Sequence, residues 1–412
     1  MKRRVVITGL GVIAPNGIGK DEFWKSLKEG KSGINKVTRF DASTYPCQIA
    51  GEVKNFDPLD FMDSKNAKRM DRFSQLSVAC AKMAIEDAGV KIGDSSLENA
   101  GVVVSSAMGG LPMAEDQHSL FLEKGLKRVS PYLAISIFTG AASSQISIAL
   151  RIKGCGNTIG GGCTAGTDAV GYAFDIIRNG EATMVIAGGA EAPLAPLTFG
   201  AFCVIDALSK INGNPARASR PFDAERDGFV MSEGTGIIVI EELEHALKRN
   251  THIYTEIIGY GTTHDSFHMV RPSPDGGQAG EAVKISLKDA GILTDEIDYI
   301  NAHGTSTPLN DKIETMMIKE VFGKRAYSIP INATKSMTGH AVGASGAIEI
   351  IATVLAIKDQ FLHPTINYEY PDPECDLDYV PNVGRPSEIN CALTSSFGFG
   401  GKNSVLVLKK FK

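Results

Sequence analysis

Residues 160–168 read GGGCTAGTD, a glycine-rich turn that carries one cysteine and leads into a helix. Apolar residues at helical spacing follow, from Val170 to Ile177, and Asn179-Gly180 ends the pattern. A thiol at a helix N-terminus faces unpaired N–H groups and the positive end of the helix dipole, so we expect a lowered pKa for Cys163. The pattern is typical of a cysteine nucleophile, although a small buried cysteine in a structural turn would fit it equally well.

The other six cysteines show no C-x-x-C or zinc-type spacing. An odd total of seven argues against a complete disulfide framework. We therefore expect reduced thiols and no bound metal. The six are Cys47, Cys80, Cys155, Cys203, Cys375 and Cys391.

The composition is that of a globular α/β protein. The chain has 412 residues, of which 43% are hydrophobic and 22% charged, and its formal net charge is −5. This balance gives no general signal for nucleic-acid binding. The basic start of the chain runs directly into a strand-like segment, with no signal-peptide core and no apolar run long enough for a bilayer. We expect a cytoplasmic protein that binds neither nucleic acid nor membrane.

Strand-like and helix-like segments alternate along the chain, which predicts an α/β fold with a covered, largely parallel sheet. The clearest candidate strands are residues 4–8, 101–105, 183–187 and 237–240, and the clearest candidate helices are residues 73–88 and 167–178.

The two halves of the chain also resemble each other. The helix end at residues 85–90, IEDAGV, recurs at residues 287–292 as LKDAGI, and a strand-like segment follows each copy. We therefore divide the chain into an N-terminal half, residues 1–250, which carries Cys163, and a C-terminal half, residues 251–412. Two copies of one α/β unit would place a shared site at their junction.

Residues 9–14, GLGVIA, fit the dinucleotide-binding pattern G-x-G-x-x-A. Pro15 and Asn16 follow, however, where that motif requires a helix, and no acidic residue ends a second strand at the expected distance. We interpret the segment as a tight structural turn rather than a nucleotide site.

Two further glycine-rich turns carry histidines. His303 lies in residues 301–308, NAHGTSTP, and His340 lies in residues 335–346, KSMTGHAVGASG, ahead of an apolar helix. Loops at strand ends are where α/β folds place their chemistry. A lone histidine is more often structural, but two in such turns, together with a candidate nucleophile, favour a catalytic group.

The C-terminal stretch 393–407, LTSSFGFGGKNSVLV, reads as strand, glycine turn and strand. The flexible backbone of such a turn can present an N–H group to an oxyanion. An ordinary hairpin with two packed phenylalanines is the alternative.

Together with residues 219–223, SRPFD, and 226–230, RDGFV, these segments resemble the β-ketoacyl-[acyl-carrier-protein] synthases of the thiolase superfamily. The resemblance covers essentially the whole chain and is closest to the type II synthases of bacterial fatty acid synthesis. It implies a thiolase-like fold with five layers, αβαβα, made of two pseudo-repeated halves.

The resemblance also implies a reaction. Cys163 would accept an acyl chain from a carrier protein, and His303 and His340 would hold the malonyl thioester and assist loss of its carboxylate. The resulting enolate would attack the acyl-enzyme, giving β-ketoacyl-carrier protein and carbon dioxide. The family needs no metal or redox cofactor.

Further roles follow from the same resemblance. The N–H groups of Cys163 and Phe399 would form an oxyanion hole, and Phe399 would also gate the nucleophile. Lys335 would order the histidine region, with Glu349 as its acidic partner. Met108 would line the acyl pocket, where a flexible side chain leaves the preferred chain length open.

The implied partner is acyl carrier protein, which is acidic. A basic patch could dock it, although a solvated helix face fits the same residues: Lys65, Lys68, Arg69 and Arg72. The resemblance implies a homodimer.

Two departures point to specialised metabolism. Asp206 stands where fatty acid enzymes tend to have an arginine, and an aspartate would repel an acidic carrier. The Gly-Cys-Thr at residues 162–164 is closer to polyketide ketosynthase subunits. A polyketide or polyene ketosynthase that pairs with a sister chain-length subunit is therefore the alternative.

Other members of the superfamily fit less well. A biosynthetic thiolase would use a second cysteine, and the short synthase that starts fatty acid synthesis uses Cys-His-Asn, against which Gly339-His340 argues. A non-catalytic chain-length subunit normally lacks the nucleophile, so Cys163 argues against that interpretation.

Overall fold

The computed structural model describes residues 2–412. Its strands are β1 (Val5–Ala14), β2 (Gly17–Ile18), β3 (Ile34–Lys36), β4 (Ile49–Gly51), β5 (Gly101–Ser105), β6 (Gly156–Ile159), β7 (Met184–Glu191), β8 (Gly234–Glu242), β9 (Thr255–His264), β10 (Tyr299–Asn301), β11 (Ile331–Asn332), β12 (Phe361–Leu362), β13 (Arg385–Pro386), β14 (Cys391–Gly398) and β15 (Lys402–Lys410). Its helices are α1 (Lys20–Lys28), α2 (Ser64–Ala67), α3 (Arg72–Asp87), α4 (Ser95–Glu98), α5 (Leu111–Lys124), α6 (Leu133–Ser136), α7 (Ala141–Leu150), α8 (Ala165–Arg178), α9 (Pro196–Val204), α10 (Leu243–Lys248), α11 (Gly277–Ala290), α12 (Pro308–Phe322), α13 (Lys335–Thr338) and α14 (Ser345–Asp359).

The main sheet is symmetric about its centre. Its strand order is β11-β10-β14-β15-β9-β1-β8-β7-β5-β6, and β1 pairs with β9 antiparallel at the middle. Going outward on either side, the next two pairings are antiparallel and the last two are parallel. The internal repeat read from the sequence therefore appears as two halves of the same topology.

This mixed sheet corrects the prediction of a largely parallel one. Strands such as β7 and β8 are buried along nearly their whole length, because helices cover both faces of the sheet. A strand covered on both faces is apolar throughout whichever way its neighbour runs, so its composition does not reveal the pairing direction.

Five layers stack across the molecule. Helices α3 and α7 cover the outer face of the first half-sheet, and α11 and α12 cover the outer face of the second, where α12 joins the apolar cluster on β10, β14 and β15. Between the half-sheets lie α8 and α14, which contact each other and strands of both halves. This αβαβα order confirms the predicted thiolase-like fold. Among residues 2–412, no helix is both long enough and apolar enough to cross a bilayer.

Residues 9–14 belong to strand β1, so the predicted tight turn is wrong. A Cβ atom on Gly9 would lie 2.2 Å from the carbonyl oxygen of Ala84, and one on Gly11 would lie 2.1 Å from that of Cys80. The two glycines therefore let helix α3 pack directly against the strand backbone.

Strand β9 repeats this arrangement in the second half. A Cβ atom on Gly259 would lie 2.2 Å from the carbonyl oxygen of Ser286, and one on Gly261 would lie 2.2 Å from that of Ala282 in α11. The shared Gly-x-Gly pattern thus reports close helix-on-strand packing in each half and not a nucleotide site.

Candidate active site

One cavity of about 490 Å³ contains the candidate nucleophile and both candidate histidines. Its wall includes Cys163, His303 and His340, together with Phe397 at the end of β14 and Phe399 from the turn after it. The three turns singled out in the sequence and the C-terminal glycine turn are therefore brought to one place. They come from both halves of the chain.

The crossing of α8 and α14 explains why Cys163 and His340 meet. Each helix is preceded by a 3₁₀ turn, Gly162–Thr164 or Val342–Ala344. A Cβ atom on Gly166 would lie 2.7 Å from the Ala347 nitrogen, and one on Gly346 would lie 2.7 Å from the Thr167 nitrogen. The glycines in the first turn of each helix thus allow the two N-terminal ends to approach closely.

The thiol of Cys163 is almost fully buried, and this burial raises its pKa to about 11. The backbone N–H of Phe399 donates to the sulfur, and the Lys335 ammonium also favours the thiolate, but burial outweighs both. The expected lowering of the pKa is therefore wrong. The resting group is a thiol that must lose its proton as it attacks.

His303 is held as a neutral imidazole. Lys335 Nζ lies 3.2 Å from His303 Nδ1 and donates to the His303 carbonyl oxygen at 2.8 Å. Burial, followed by Lys335 and His340, lowers the pKa of His303 well below its usual value. An ammonium group can only donate, so Nδ1 accepts and the ring proton sits on Nε2.

His340 faces the same space. Its Nδ1 lies 2.8 Å from the hydroxyl oxygen of Ser345, and its ring is nearly perpendicular to that of His303 with 5.5 Å between centroids. Burial, followed by Lys335, lowers its pKa well below the usual value. Its buried Nε2 has no hydrogen-bond partner among residues 2–412, which marks a place for a substrate oxygen.

Buried carboxylates support this pair of histidines. Glu349 forms an ion pair with Lys335, and burial raises its pKa to about 7. Glu314 accepts the backbone N–H groups of His303 and Gly304 at 2.7 and 2.8 Å. Sequence reasoning overlooked Glu314; its signal is an acidic residue on an inward-facing position of the helix directly after the histidine turn.

Phe399 lies at the cavity mouth and is 37% exposed. Its ring stacks on Phe202, which contacts Phe229 edge-on, and Phe229 in turn contacts the His340 ring. Asp206 also lines the mouth, where its carboxylate pairs with Lys210 at 2.6 Å. The negative charge expected to repel a carrier protein is thus offset by a neighbouring cation.

The remaining predicted residues lie apart from the thiol cavity. Met108 is half-buried after β5 and outside the cavity wall, with its N–H donating to Glu191 at 3.1 Å. Lys65 and Lys68 are exposed on and beside α2. Arg69 lies over the Tyr132 ring, 5.0 Å from its centroid.

Arg72 does not fit the predicted docking patch. Its guanidinium donates to both carboxylate oxygens of buried Glu233 at 2.6 and 3.0 Å and to the Val53 carbonyl oxygen. It also lies over the Phe56 ring. A side chain with these contacts holds the fold together, and no local pattern around Arg72 points to Glu233, which is distant in the chain.

Two family models match the chain. The model for the N-terminal domain of β-ketoacyl synthase matches residues 2–246, and the model for the C-terminal domain matches residues 254–369.

Two full-length relatives carry the same name. A 3-oxoacyl-[acyl-carrier-protein] synthase 2 from Synechocystis is 48% identical over 411 residues, covering 100% of this chain and 99% of the relative. The protein of the same name from Coxiella burnetii is 46% identical over 409 residues, covering 99% of each chain.

Solved structures of similar fold include two ketosynthases. A type II polyketide ketosynthase, in complex with its acyl carrier protein and bound to the hexaketide, has a TM-score of 0.91 and 38% identity. The ishigamide ketosynthase/chain length factor has a TM-score of 0.94 and 36% identity. Each comparison covers 100% of both chains.

Proposed function

The chain belongs to the β-ketoacyl synthase family, and on that premise we propose that it catalyses the decarboxylative condensation that elongates fatty acids. An acyl chain on Cys163 reacts with malonyl-carrier protein to give β-ketoacyl-carrier protein and carbon dioxide. The names of the full-length relatives support this activity. The observation that carries the assignment is one cavity holding a buried thiol and two neutral histidines.

The first step is acyl transfer to Cys163. Its sulfur attacks the acyl thioester, and the N–H groups of Cys163 and Phe399 stabilise the resulting oxyanion. Both donors lie beside the sulfur, which supports this role. The carrier thiolate leaves and takes up the proton that the Cys163 thiol has lost, so the step needs no external acid or base.

The second step is decarboxylation of the malonyl group. His303 Nε2–H and His340 Nε2–H donate to the thioester oxygen, where negative charge develops as carbon dioxide leaves. For His340, a Ser345 hydroxyl that donates to Nδ1 leaves the ring proton on Nε2. A neutral imidazole suits this task because its Nε2–H can polarise the carbonyl and donate to the developing oxyanion.

The third step forms the carbon–carbon bond. The enolate carbon attacks the acyl thioester on Cys163, and the same two N–H groups again receive the oxyanion. Collapse of this intermediate expels the Cys163 thiolate, which takes up a proton from solvent and restores the thiol, so that each condensation consumes one proton. Lys335 and Glu349 form no covalent bond with the substrate. Their role is to hold His303 in its Nε2–H form.

We propose acyl carrier protein as the partner, docked near Lys65 and Lys68. These two side chains are exposed, and a similar solved structure holds a ketosynthase together with its carrier. Because Arg72 is ion-paired with Glu233, the basic docking patch is smaller than the sequence indicated.

We further propose that the protein forms a homodimer. Large apolar side chains are exposed in and around α5 to α7, which is typical of an interface. They are Leu111, Phe121, Leu122, Leu126, Ile135, Phe138 and Ile148. The division at residue 250 and the cytoplasmic location stay predictions; the seven unpaired cysteines support the latter.

The experiment is an intact-mass assay of the purified protein with a series of acyl-carrier proteins, followed by malonyl-carrier protein. We expect an acyl adduct that is lost as a chain two carbons longer forms. Cys163→Ala is the control and should acquire no adduct. An adduct that forms equally on Cys163→Ala would overturn the assignment of the nucleophile.

The polyketide alternative is supported by the Gly-Cys-Thr at residues 162–164 and by the similarity in fold to a type II polyketide ketosynthase and to the ishigamide ketosynthase/chain length factor. A folded protein that accepts no saturated acyl chain alone, but gains activity with a sister subunit, would replace fatty acid elongation by this alternative.

A further inference from the structure

An ion pair behind the thiol joins the two turns that flank it. Asp168 lies on α8, five residues after Cys163, and Lys402 begins β15, three residues after Phe399. Lys402 Nζ lies 3.2 Å from Asp168 Oδ2. The Lys402 side chain is 27% exposed and that of Asp168 is 7% exposed, so the pair is largely shielded from water.

The carboxylate of Asp168 is held in place by two further donors. The Thr164 hydroxyl donates to Oδ2 at 2.8 Å, and the Tyr260 hydroxyl donates to Oδ1 at 2.8 Å. Thr164 directly follows Cys163, so the carboxylate is tied to the nucleophile's own turn. Tyr260 comes from strand β9 of the other half and anchors Asp168 to the sheet.

The Lys402 ammonium also touches the glycine-rich turn itself. A Cβ atom on Gly161 would lie 2.8 Å from Lys402 Nζ, so the end of the lysine occupies the space that a side chain would fill. The pair therefore connects three places: residues 160–164, helix α8 and the start of β15.

Both turns need such a restraint because they are rich in glycine. Gly162, Gly400 and Gly401 have φ angles of 64°, 85° and 72°, in the left-handed region. Glycine backbones have more conformational freedom than other residues, and these turns carry the N–H groups of Cys163 and Phe399. A small relative shift of the turns would move the two donors apart.

We propose that Asp168 and Lys402 form a positioning pair that keeps the N–H groups of Cys163 and Phe399 in register around the reacting carbonyl oxygen. Neither side chain lines the cavity, so the pair acts through the backbone and not on the substrate. The inference rests on the proposed function, because the relative position of the two N–H groups matters only if an oxyanion forms on the carbonyl group that is bonded to the sulfur.

The test is a double-mutant cycle with Lys402→Met, Asp168→Asn and the double variant. We expect each single change to lower kcat for condensation about tenfold at unchanged KM for malonyl-carrier protein, less than the roughly 10²–10³ for loss of a whole donor. The double variant should be no slower than the slower single variant, since both break one interaction. Lys402→Arg, which keeps the charge, should recover most of the rate.

Two controls separate positioning from general damage. Lys410→Met makes the same change at the exposed far end of β15 and should leave kcat unchanged. Alkylation of Cys163 by iodoacetamide forms no oxyanion, so Lys402→Met should slow it less than threefold while acyl transfer slows about tenfold.

Wild-type kcat in both single variants, effects that multiply in the double variant, or equal slowing of alkylation and acyl transfer would each overturn the pair's role. Failure of the wild-type protein to become acylated would instead overturn the proposed function itself. The two failures are therefore distinguishable in one set of assays.

Discussion

The turns before α8 and α14 are built alike and do different chemistry. Each is a three-residue 3₁₀ turn that opens into a buried helix, and the two helices cross at their first turns. The first turn carries Cys163 with N–H donors at its sulfur, whereas the second follows His340, whose Nδ1 contacts Ser345. The two turns are similar, but their functional side chains are placed differently: the nucleophile lies within the first turn, and the hydrogen-bond donor lies two residues before the second.

Removing the nucleophile from the first turn should have the largest effect on the reaction. Cys163→Ala should lower condensation by about 10⁴ or more, because no covalent acyl-enzyme can form. The measurement is product formation from acyl- and malonyl-carrier protein, with circular dichroism to check the fold. Condensation at the wild-type rate would contradict the assignment.

Removing either histidine donor should leave half of the reaction intact. His340→Ala and His303→Ala should each slow malonyl decarboxylation about 10²–10³-fold, as expected for loss of one donor to a developing oxyanion. Acylation of Cys163, followed by intact mass, should persist in both variants. Loss of acylation in a folded variant would show that the histidines serve the first step as well.

The neutral state of the histidines gives a pH test. The pKa values of His303 and His340 are lowered well below 6.5, so kcat should stay level down to pH 6.5 and fall only at lower pH. Lys335→Met removes a cation that lowers the pKa of His303, so the acid limb should move to higher pH. A pH profile of kcat measures this shift, and an unmoved limb would contradict the proposed contact.

That variant also leaves Glu349 buried without its partner, which should cost about 3–5 kcal/mol of stability. The double variant Lys335→Met with Glu349→Leu removes both charges and serves as the control. It should recover stability in a urea titration while the shifted acid limb remains.

The smallest effect should come from Ser345, the first residue of α14. Ser345→Ala leaves His340 Nδ1 without its hydroxyl partner and should slow decarboxylation about fivefold, matching the roughly 1 kcal/mol of one hydrogen bond. Thr353→Val on the same helix, whose hydroxyl donates to the Glu349 carbonyl oxygen, is the matched control. Equal slowing in both would show a general effect on α14.

Much of this protein could be predicted from short stretches of sequence. The cysteine turn, the two histidine turns and the final glycine turn were each visible as local patterns. The family and the thiolase-like fold they indicated are confirmed by the family models and by similar structures. The repeat between the halves was visible too, because each copy ends its helix with the same Asp-Ala-Gly.

Other properties were decided only by tertiary packing. They include the strand direction in the sheet, the role of Gly9 and Gly11, and the ion pair between Arg72 and Glu233. Each depends on residues that are distant in the chain. The pKa of Cys163 shows the physical reason most clearly. A helix N-terminus lowers the pKa of a thiol and is visible in the local sequence. Burial raises that pKa by a larger amount, and the sulfur becomes buried only once both halves close around it.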